Sequence, residues 1–346
     1  MTLYDFHREL FKRYELKNAK ELNGKTIFIT GANGLVGGNL LAYLLFLDKK
    51  YTLKLKLIAH SFSEPIFFNK YKNVKYLNGD LRDLDLNFNF DFCFHCATYA
   101  QPFKVLEHMR DTVYLNTVIL FNLIEKCIKN NSKLIFLSSS ATYGEPIWQN
   151  GGGGGIDKNE LSESDMQYGF IDLQSKASIY AQSKRMAESI LFNSNCSFKI
   201  VRLAISYGAG VKLDDRRVIN EFIKKAVFSR ELSLLDSGLA KRRFLYITDC
   251  IFMLLNIAIN SKENLYNISN DEDISILELA RVICEITKAE LLLTQTDKSI
   301  SGTQTSTQIS SRKYFKEFNC FDKIPLKEGL KFNIKWLELL KNMSKF

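Results

Sequence analysis

The sequence predicts an α/β fold, a doubly wound parallel sheet with a smaller C-terminal lobe. Three observations predict it. Short apolar β runs alternate with helical stretches from residue 25 to 205, a glycine-rich turn joins the first run to the first long apolar helix, and the alternation loosens beyond Ser206. Strands separated by helical crossovers lie parallel in one sheet.

Residues 1–24 read as an amphipathic helical extension of mixed charge that carries no chemistry. Residues 25–30 are the first strand, 31–37 the glycine turn and 39–47 an apolar helix. Strands are expected at 53–59, 74–77, 90–96, 133–138 and 198–204, with helices at 111–129 and 175–192. Further on, helices at 217–229, 248–260 and 275–287 and short strands at 232–235 and 265–268 read as a substrate-covering lobe, 206–346, interleaved with the last core elements. The five glycines at 151–155 suit neither helix nor strand and are expected at a loop tip. In a Lys-, Asn-, Ile- and Phe-rich chain they also suggest a slipping guanine tract, a habit of surface-glycan genes, which mixed glycine codons would refute.

Composition narrows the function. A chain of 346 residues, 46% hydrophobic and 25% charged, buries a full core rather than staying disordered. The formal charge of +9 is scattered among apolar and Asn residues instead of forming a dense basic block, which argues against nucleic acid and suits a phosphate-bearing small substrate. No apolar run reaches bilayer length and no leader-like segment opens the sequence, so a cytoplasmic protein without membrane contact is expected. The seven cysteines are widely spread, as in a reducing compartment. Cys93-Phe94-His95-Cys96 has the form of a redox or zinc motif, but it falls in an expected strand and no second cluster completes a site, so no metal is expected.

The turn Thr30-Gly31-Ala32-Asn33-Gly34-Leu35-Val36-Gly37 sits between strand and helix, as a dinucleotide-binding turn must. Gly31 permits the tight turn, Gly34 lets the backbone approach a pyrophosphate, and Gly37 allows close helix packing, while the helix N-terminus attracts the phosphate charge. Residues 25–205 are thus expected to form a dinucleotide-binding domain of the Rossmann type. An acidic residue is expected about 20 positions on to hold the ribose of NAD, but the sequence there reads Ile58-Ala59-His60-Ser61-Phe62-Ser63. His60 and Ser61 suit a hydroxyl or a 2′-phosphate. The absence of an arginine favours NAD, with NADP left open. Asp80, in Gly79-Asp80-Leu81 after the third strand, is placed to meet the adenine amino group.

Tyr180-Ala181-Gln182-Ser183-Lys184 falls in an expected helix, which puts Tyr180 and Lys184 one turn apart on the same face. An ammonium beside a phenol favours the phenolate, so Lys184 is expected to draw the Tyr180 pKa down and make it a usable base. Tyr71 and Lys75 share the spacing but lack context. Upstream of Tyr180 an expected strand ends in Ser138-Ser139-Ser140-Ala141-Thr142-Tyr143-Gly144, which brings hydroxyls to the carboxyl edge of the sheet, where open α/β folds bind ligands. A serine there can donate to a substrate oxygen as charge develops on it.

With these motifs in order, the chain resembles an extended short-chain dehydrogenase/reductase of the NAD-dependent epimerase/dehydratase family, which modifies nucleotide-linked sugars. The resemblance runs from Lys25 to about Trp336. It is carried by the glycine turn, Gly79-Asp80-Leu81, His95-Cys96-Ala97, Asn116, the serine run, Tyr180 with Lys184, Arg202-Leu203-Ala204-Ile205-Ser206-Tyr207-Gly208, and Arg242-Arg243-Phe244-Leu245-Tyr246-Ile247-Thr248-Asp249. It implies cofactor contacts at Asn33, Leu35, Val36, Leu81, Cys96, Ala97, Thr98, Asn116, Leu203, Tyr180 and Lys184. It also implies Ser139 as the catalytic hydroxyl, with Ser140 the alternative and a substrate contact, Tyr180 as the base at a sugar 4-hydroxyl, and Arg242 and Arg217 as contacts to the substrate diphosphate.

Departures from the family pattern narrow the reaction. Family 4,6-dehydratases carry Asp-Glu directly after the catalytic hydroxyl, where this chain has Ser140 and Ala141. Uronate decarboxylases keep a Glu at the place of Ala141. The asparagine often found before the Tyr-Gly step is Ile205 here. Redox chemistry at C4 without elimination is the expectation, as a 4-epimerase or a dehydrogenase/reductase. A decarboxylase or 4,6-dehydratase is the alternative, and a non-catalytic cofactor binder ranks last. The resemblance also implies a homodimer, built on helices within 114–129 and 175–192.

Overall fold

The computed structural model describes residues 1–65, 71–146, 160–176, 178–293 and 308–343; the glycine run at 151–155 lies outside them. Seven parallel strands form the central sheet: β1 (Thr26–Thr30), β2 (Lys56–Ser61), β3 (Val74–Asn78), β4 (Phe92–His95), β5 (Lys133–Ser139), β6 (Ser197–Leu203) and β7 (Leu265–Ile268). Their spatial order is β3-β2-β1-β4-β5-β6-β7, so the order reverses between β1 and β4. That reversal opens a crevice at the carboxyl ends of β1 and β4.

Both faces of the sheet are covered, and the strands read as near-continuous apolar runs because alternate side chains feed two cores. Ile27 and Ile29 of β1, Phe94 of β4 and Ile135 and Leu137 of β5 join one core. Phe28, Cys93, Leu134 and Phe136 join the other.

Helix α1 (Leu3–Phe11) opens with a capping box: Thr2 Oγ1 accepts from the Asp5 amide at 3.1 Å, while the Asp5 carboxylate accepts from the Thr2 amide at 3.3 Å. The helix stops well before the first strand, yet Tyr14, Leu16, Ala19 and Leu22 stay buried, so the extension is part of the core. It packs on α2 (Leu35–Tyr51), which follows the glycine turn.

After α3 (Pro102–Glu107), the helix expected at 111–129 resolves into α4 (Met109–Asn116) and α5 (Val118–Asn130). The last two meet at Thr117, whose hydroxyl donates to the Val113 carbonyl at 2.7 Å, the local back-bonding that bends helices. Helix α6 (Ser178–Phe192) carries the Tyr180 and Lys184 pair. After it come α7 (Val218–Lys224), which runs on into a π turn at Lys225–Ser229, and α8 (Ile247–Asn260), largely apolar and buried over twelve consecutive residues. Helices α9 (Ile276–Thr287), α10 (Arg312–Glu317) and α11 (Leu326–Met343) complete the chain. The periodicity reading had no place for α3, α10, α11 or the short parallel pair Ile205–Tyr207 with Phe244–Tyr246.

His7 of α1 joins distant parts. Asn39 Nδ2 donates to the Leu35 and Ala209 carbonyls, so Asn39 Oδ1 accepts from His7 Nδ1 at 2.8 Å, which leaves His7 Nε2 to accept from the Tyr246 hydroxyl at 3.1 Å. Both ring nitrogens are committed to the neutral tautomer, and burial lowers the His7 pKa to about 3. The folded value lies below the unfolded one, so His7 contributes stability that is complete above about pH 6.5 and is lost as pH falls toward 3. Between pH 7 and 5.5 the unfolding free energy of the wild type should fall by about 1 kcal/mol relative to His7→Gln in denaturant titrations. Parallel pH profiles for the two proteins would remove His7 as the source.

Candidate active site

The glycine turn leaves β1 at the crevice. Gly31 has φ +68°, and a Cβ there would lie 2.8 Å from the backbone of Ala97 after β4, so only glycine allows the two loops to meet. At Gly37 a Cβ would lie 2.4 Å from the Gly31 carbonyl oxygen, which makes Gly37 the packing point of turn on helix.

Beside the turn lies a groove of about 370 Å³. Of the residues expected at the cofactor, Gly31, Asn33, Gly34, His60 and Ser61 line it from one side. Asp80, Leu81, Cys96, Ala97 and Thr98 line it from the other strands. Strand β2 runs two residues further than expected, so His60 and Ser61 are buried within it and its exposed end is Phe62-Ser63. Asn33 Nδ2 ties the turn to that end through Ser63 Oγ at 2.9 Å. The Asp80 carboxylate accepts from Arg82 Nε at 2.9 Å and is held below its ordinary pKa by that arginine, so the group expected to meet adenine already carries a cation. Beneath the groove, buried His95 donates from Nε2 to the Leu115 carbonyl at 2.9 Å and accepts at Nδ1 from Thr30 Oγ1 at 2.8 Å, which fixes a neutral ring.

Seven expected cofactor residues lie outside that lining, Tyr180 and Lys184 among them. Leu35 and Val36 pack on the core, and Gly37 acts in packing. Leu203 sits between Ser139 and Ile268 in the sheet. Asn116 is fully buried, with Nδ2 donating to Ser183 Oγ at 2.9 Å. Alternation and spacing place such residues near a crevice; which of them face it is a tertiary matter.

A second cavity of about 510 Å³ is lined by Ser139, Ser140, Ala141, Tyr180 and Arg242, so strand end, helix and the 242 segment converge as expected. Ser139 Oγ accepts from the Ala141 amide at 3.1 Å, and its hydroxyl shares the cavity with the Tyr180 phenol, whose pKa it draws down. Among the described residues, Asp172 is the sole carboxylate lining this cavity.

Two expectations need correcting. Lys184 lines neither cavity: it is buried, its Nζ donates to the Leu137 carbonyl at 2.6 Å and lies 4.4 Å over the Phe136 ring, and burial lowers its pKa to about 7. Its Nζ is 6.0 Å from the Tyr180 ring centre. The pull on Tyr180 comes instead from the Ser139 hydrogen bond and the positive charge of Arg217, and burial outweighs both, so the phenol sits above its ordinary value. Arg217 also departs from its expected place. It grips Asp215 with three contacts of 2.6 to 3.1 Å and donates to the Ser206 carbonyl, outside the cavity lining.

A buried network holds α6 on the sheet. Glu188, one turn beyond Lys184, accepts from Arg202 of β6 at 2.6 and 3.0 Å and from Ser138 of β5 at 2.5 Å. Arg202 also donates to the Tyr143 hydroxyl at 2.7 Å, and Tyr143 donates to Asn267 of β7 at 2.9 Å. No metal-like group of three or more His, Cys, Asp or Glu side chains occurs among the described residues. Replacing Glu188 with Leu leaves the Arg202 charge buried and unpaired, and should cost about 3 to 5 kcal/mol in equilibrium unfolding. A loss under 1 kcal/mol would show that the pair is not the anchor.

Comparison with known proteins agrees with this layout. Among curated relatives, UDP-glucuronic acid decarboxylase 1 of Xenopus tropicalis is 22% identical over 296 residues, covering 82% of this chain and 66% of that protein. The chain spans about three fifths of the length of such relatives. Among solved structures, an epimerase from Methanothermobacter thermautotrophicus superposes with a TM-score of 0.77 at 16% identity, over 95% of this chain and 97% of that one. UDP-glucuronic acid 4-epimerase from Bacillus cereus, solved with UDP-glucuronic acid and NAD, gives 0.72 at 21% identity, over 91% and 99%. These likenesses show a shared fold. Residues 27–269 match the model of the NAD dependent epimerase/dehydratase family, and the chain belongs to that family.

Proposed function

We propose that the protein is a cytoplasmic, NAD-dependent enzyme that oxidises C4 of a nucleotide-activated sugar to a 4-keto species and reduces it again, as a 4-epimerase or a dehydrogenase/reductase. The observation that carries this reading is that Ser139 and Tyr180 line one cavity whose wall has Ser140 and Ala141 where elimination or decarboxylation would call for carboxylates.

The groove residues fit a dinucleotide: close backbone at Gly31 and Gly34, a helix start at Leu35, and His60 at the ribose end. Gly31, Gly34, His60, Ser61, Leu81 and Thr98 would hold it, and when bound it would accept hydride and add positive charge beside the phenol. Tyr180 takes the proton of the sugar 4-hydroxyl as C4 is oxidised. Ser139 donates to the same oxygen and stabilises the charge that develops there. Lys184 keeps the β5 end in place through Leu137 and adds a buried positive charge when protonated. Arg242 is the substrate-diphosphate contact, since Arg217 is committed to Asp215.

Uronate decarboxylation is the second reading, favoured by the names of the curated relatives and opposed by Ala141. All seven cysteines are unpaired, as suits a reducing compartment. A homodimer fits the exposed apolar side chains on adjoining helices, Val113, Val118, Phe121, Ile128, Met186 and Phe192.

Tyr180→Phe should abolish turnover across a panel of nucleotide sugars while NAD affinity changes less than about twofold; full activity would remove Tyr180 from the mechanism. In the wild type, product without net formation of reduced nicotinamide identifies an epimerase, cofactor consumption a reductase, and released carbon dioxide the second reading. Sedimentation at micromolar concentration should give a dimer that Phe121→Asp dissociates, whereas a wild-type monomer would refute that interface.

A further inference from the structure

We propose that Lys212 is a ligand of the cofactor diphosphate, a role resting on the reading that the groove beside the glycine turn holds NAD. Lys212 follows the Ile205–Tyr207 strand by five residues and was not legible as a site residue. It lines the same groove as Gly31, Asn33 and Gly34, and its ammonium makes no hydrogen bond or ion pair among the described residues. His60, elsewhere in the same lining, has a buried Nδ1 without a hydrogen-bond partner.

The chain on both sides of Lys212 is fixed. Gly210, at φ +105°, approaches Asn39 on the second turn of α2 so closely that a Cβ would lie 2.8 Å from Asn39 Nδ2, and that amide donates to the Ala209 carbonyl at 2.8 Å. Trp336 Nε1 donates to the Val211 carbonyl at 2.9 Å, and Lys224 Nζ donates to the Leu213 carbonyl at 3.0 Å. Just beyond, Asp214 pairs with Lys104 of α3 at 2.7 Å and the Arg216 guanidinium lies 4.4 Å over the Phe103 ring. This strap therefore runs from the start of α2 to α3 with Lys212 turned to the groove between them.

The start of α2 has no side-chain cap, so its amides and the Lys212 ammonium present donors and positive charge to one place. A diphosphate matches that combination, because each of its phosphates is anionic and rich in acceptors. The 2′-phosphate of NADP is the rival source of such chemistry, at the His60 end of the groove.

Calorimetric titration of wild type, Lys212→Met and Lys212→Arg with ADP-ribose, adenosine 2′-phosphate and adenosine separates these. Lys212→Met should bind ADP-ribose about tenfold more weakly and adenosine unchanged, and Lys212→Arg should restore most of the affinity. Unchanged ADP-ribose binding, an equal loss with adenosine, or a loss confined to adenosine 2′-phosphate would overturn the assignment while leaving the groove a nucleotide site. Failure of the wild type to bind any of the three would instead bring down the cofactor reading, and Lys212 with it.

Discussion

The buried pairing of Glu188 with Arg202 is the constraint on which the reactive geometry depends. Tyr180, Lys184 and Glu188 recur every fourth residue on α6, so fixing the last orients the whole face. Removing two charges from water is costly, and the cost is offset here because Ser138 and Tyr143 satisfy the remaining valences of carboxylate and guanidinium. The same contacts hold the ends of β5 and β6 in register, and β5 delivers Ser139. Helix and strand end are thus joined by one hydrogen-bonded cluster in addition to the packing of Ala187 and Leu191.

Above that cluster, charge is distributed differently from the simple picture of a lysine beside a tyrosine. Lys184 lies lower, over an aromatic ring and against a carbonyl, where burial brings its proton within reach of neutral pH. The phenol is pulled toward ionisation by Ser139 and by Arg217, whose own charge is shared with Asp215. Protein atoms alone leave Tyr180 protonated in ordinary solution. Under the proposed reading, a positive nicotinamide ring held beside the phenol would favour its ionisation and so tie proton removal to cofactor occupancy.

Much of this was legible from the chain. Short apolar runs between helical stretches marked the seven strands, because buried parallel strands are apolar over their full length. Glycine at 31 and 37 was readable because each meets a backbone that tolerates no side chain. The convergence of Ser139, Tyr180 and Arg242 followed from motif order. What escaped was set by distant partners: that Arg217 turns to Asp215, that Lys184 lies beneath the cavity, and that residues 1–24 belong to the core. Lys212 escaped for the same reason, since nothing local distinguishes it from the other lysines of the chain.

The commitment of His7 to a hydroxyl 239 positions away has a bearing on synthesis. Helix α1 is translated well before Tyr246 and Trp336, which pack on its His7 and Phe6. In a nascent chain that ends short of Tyr246, the apolar face of α1 has α2 to pack on but not the partner of its His7. The seat of α1 is therefore complete only after residue 246 has been made.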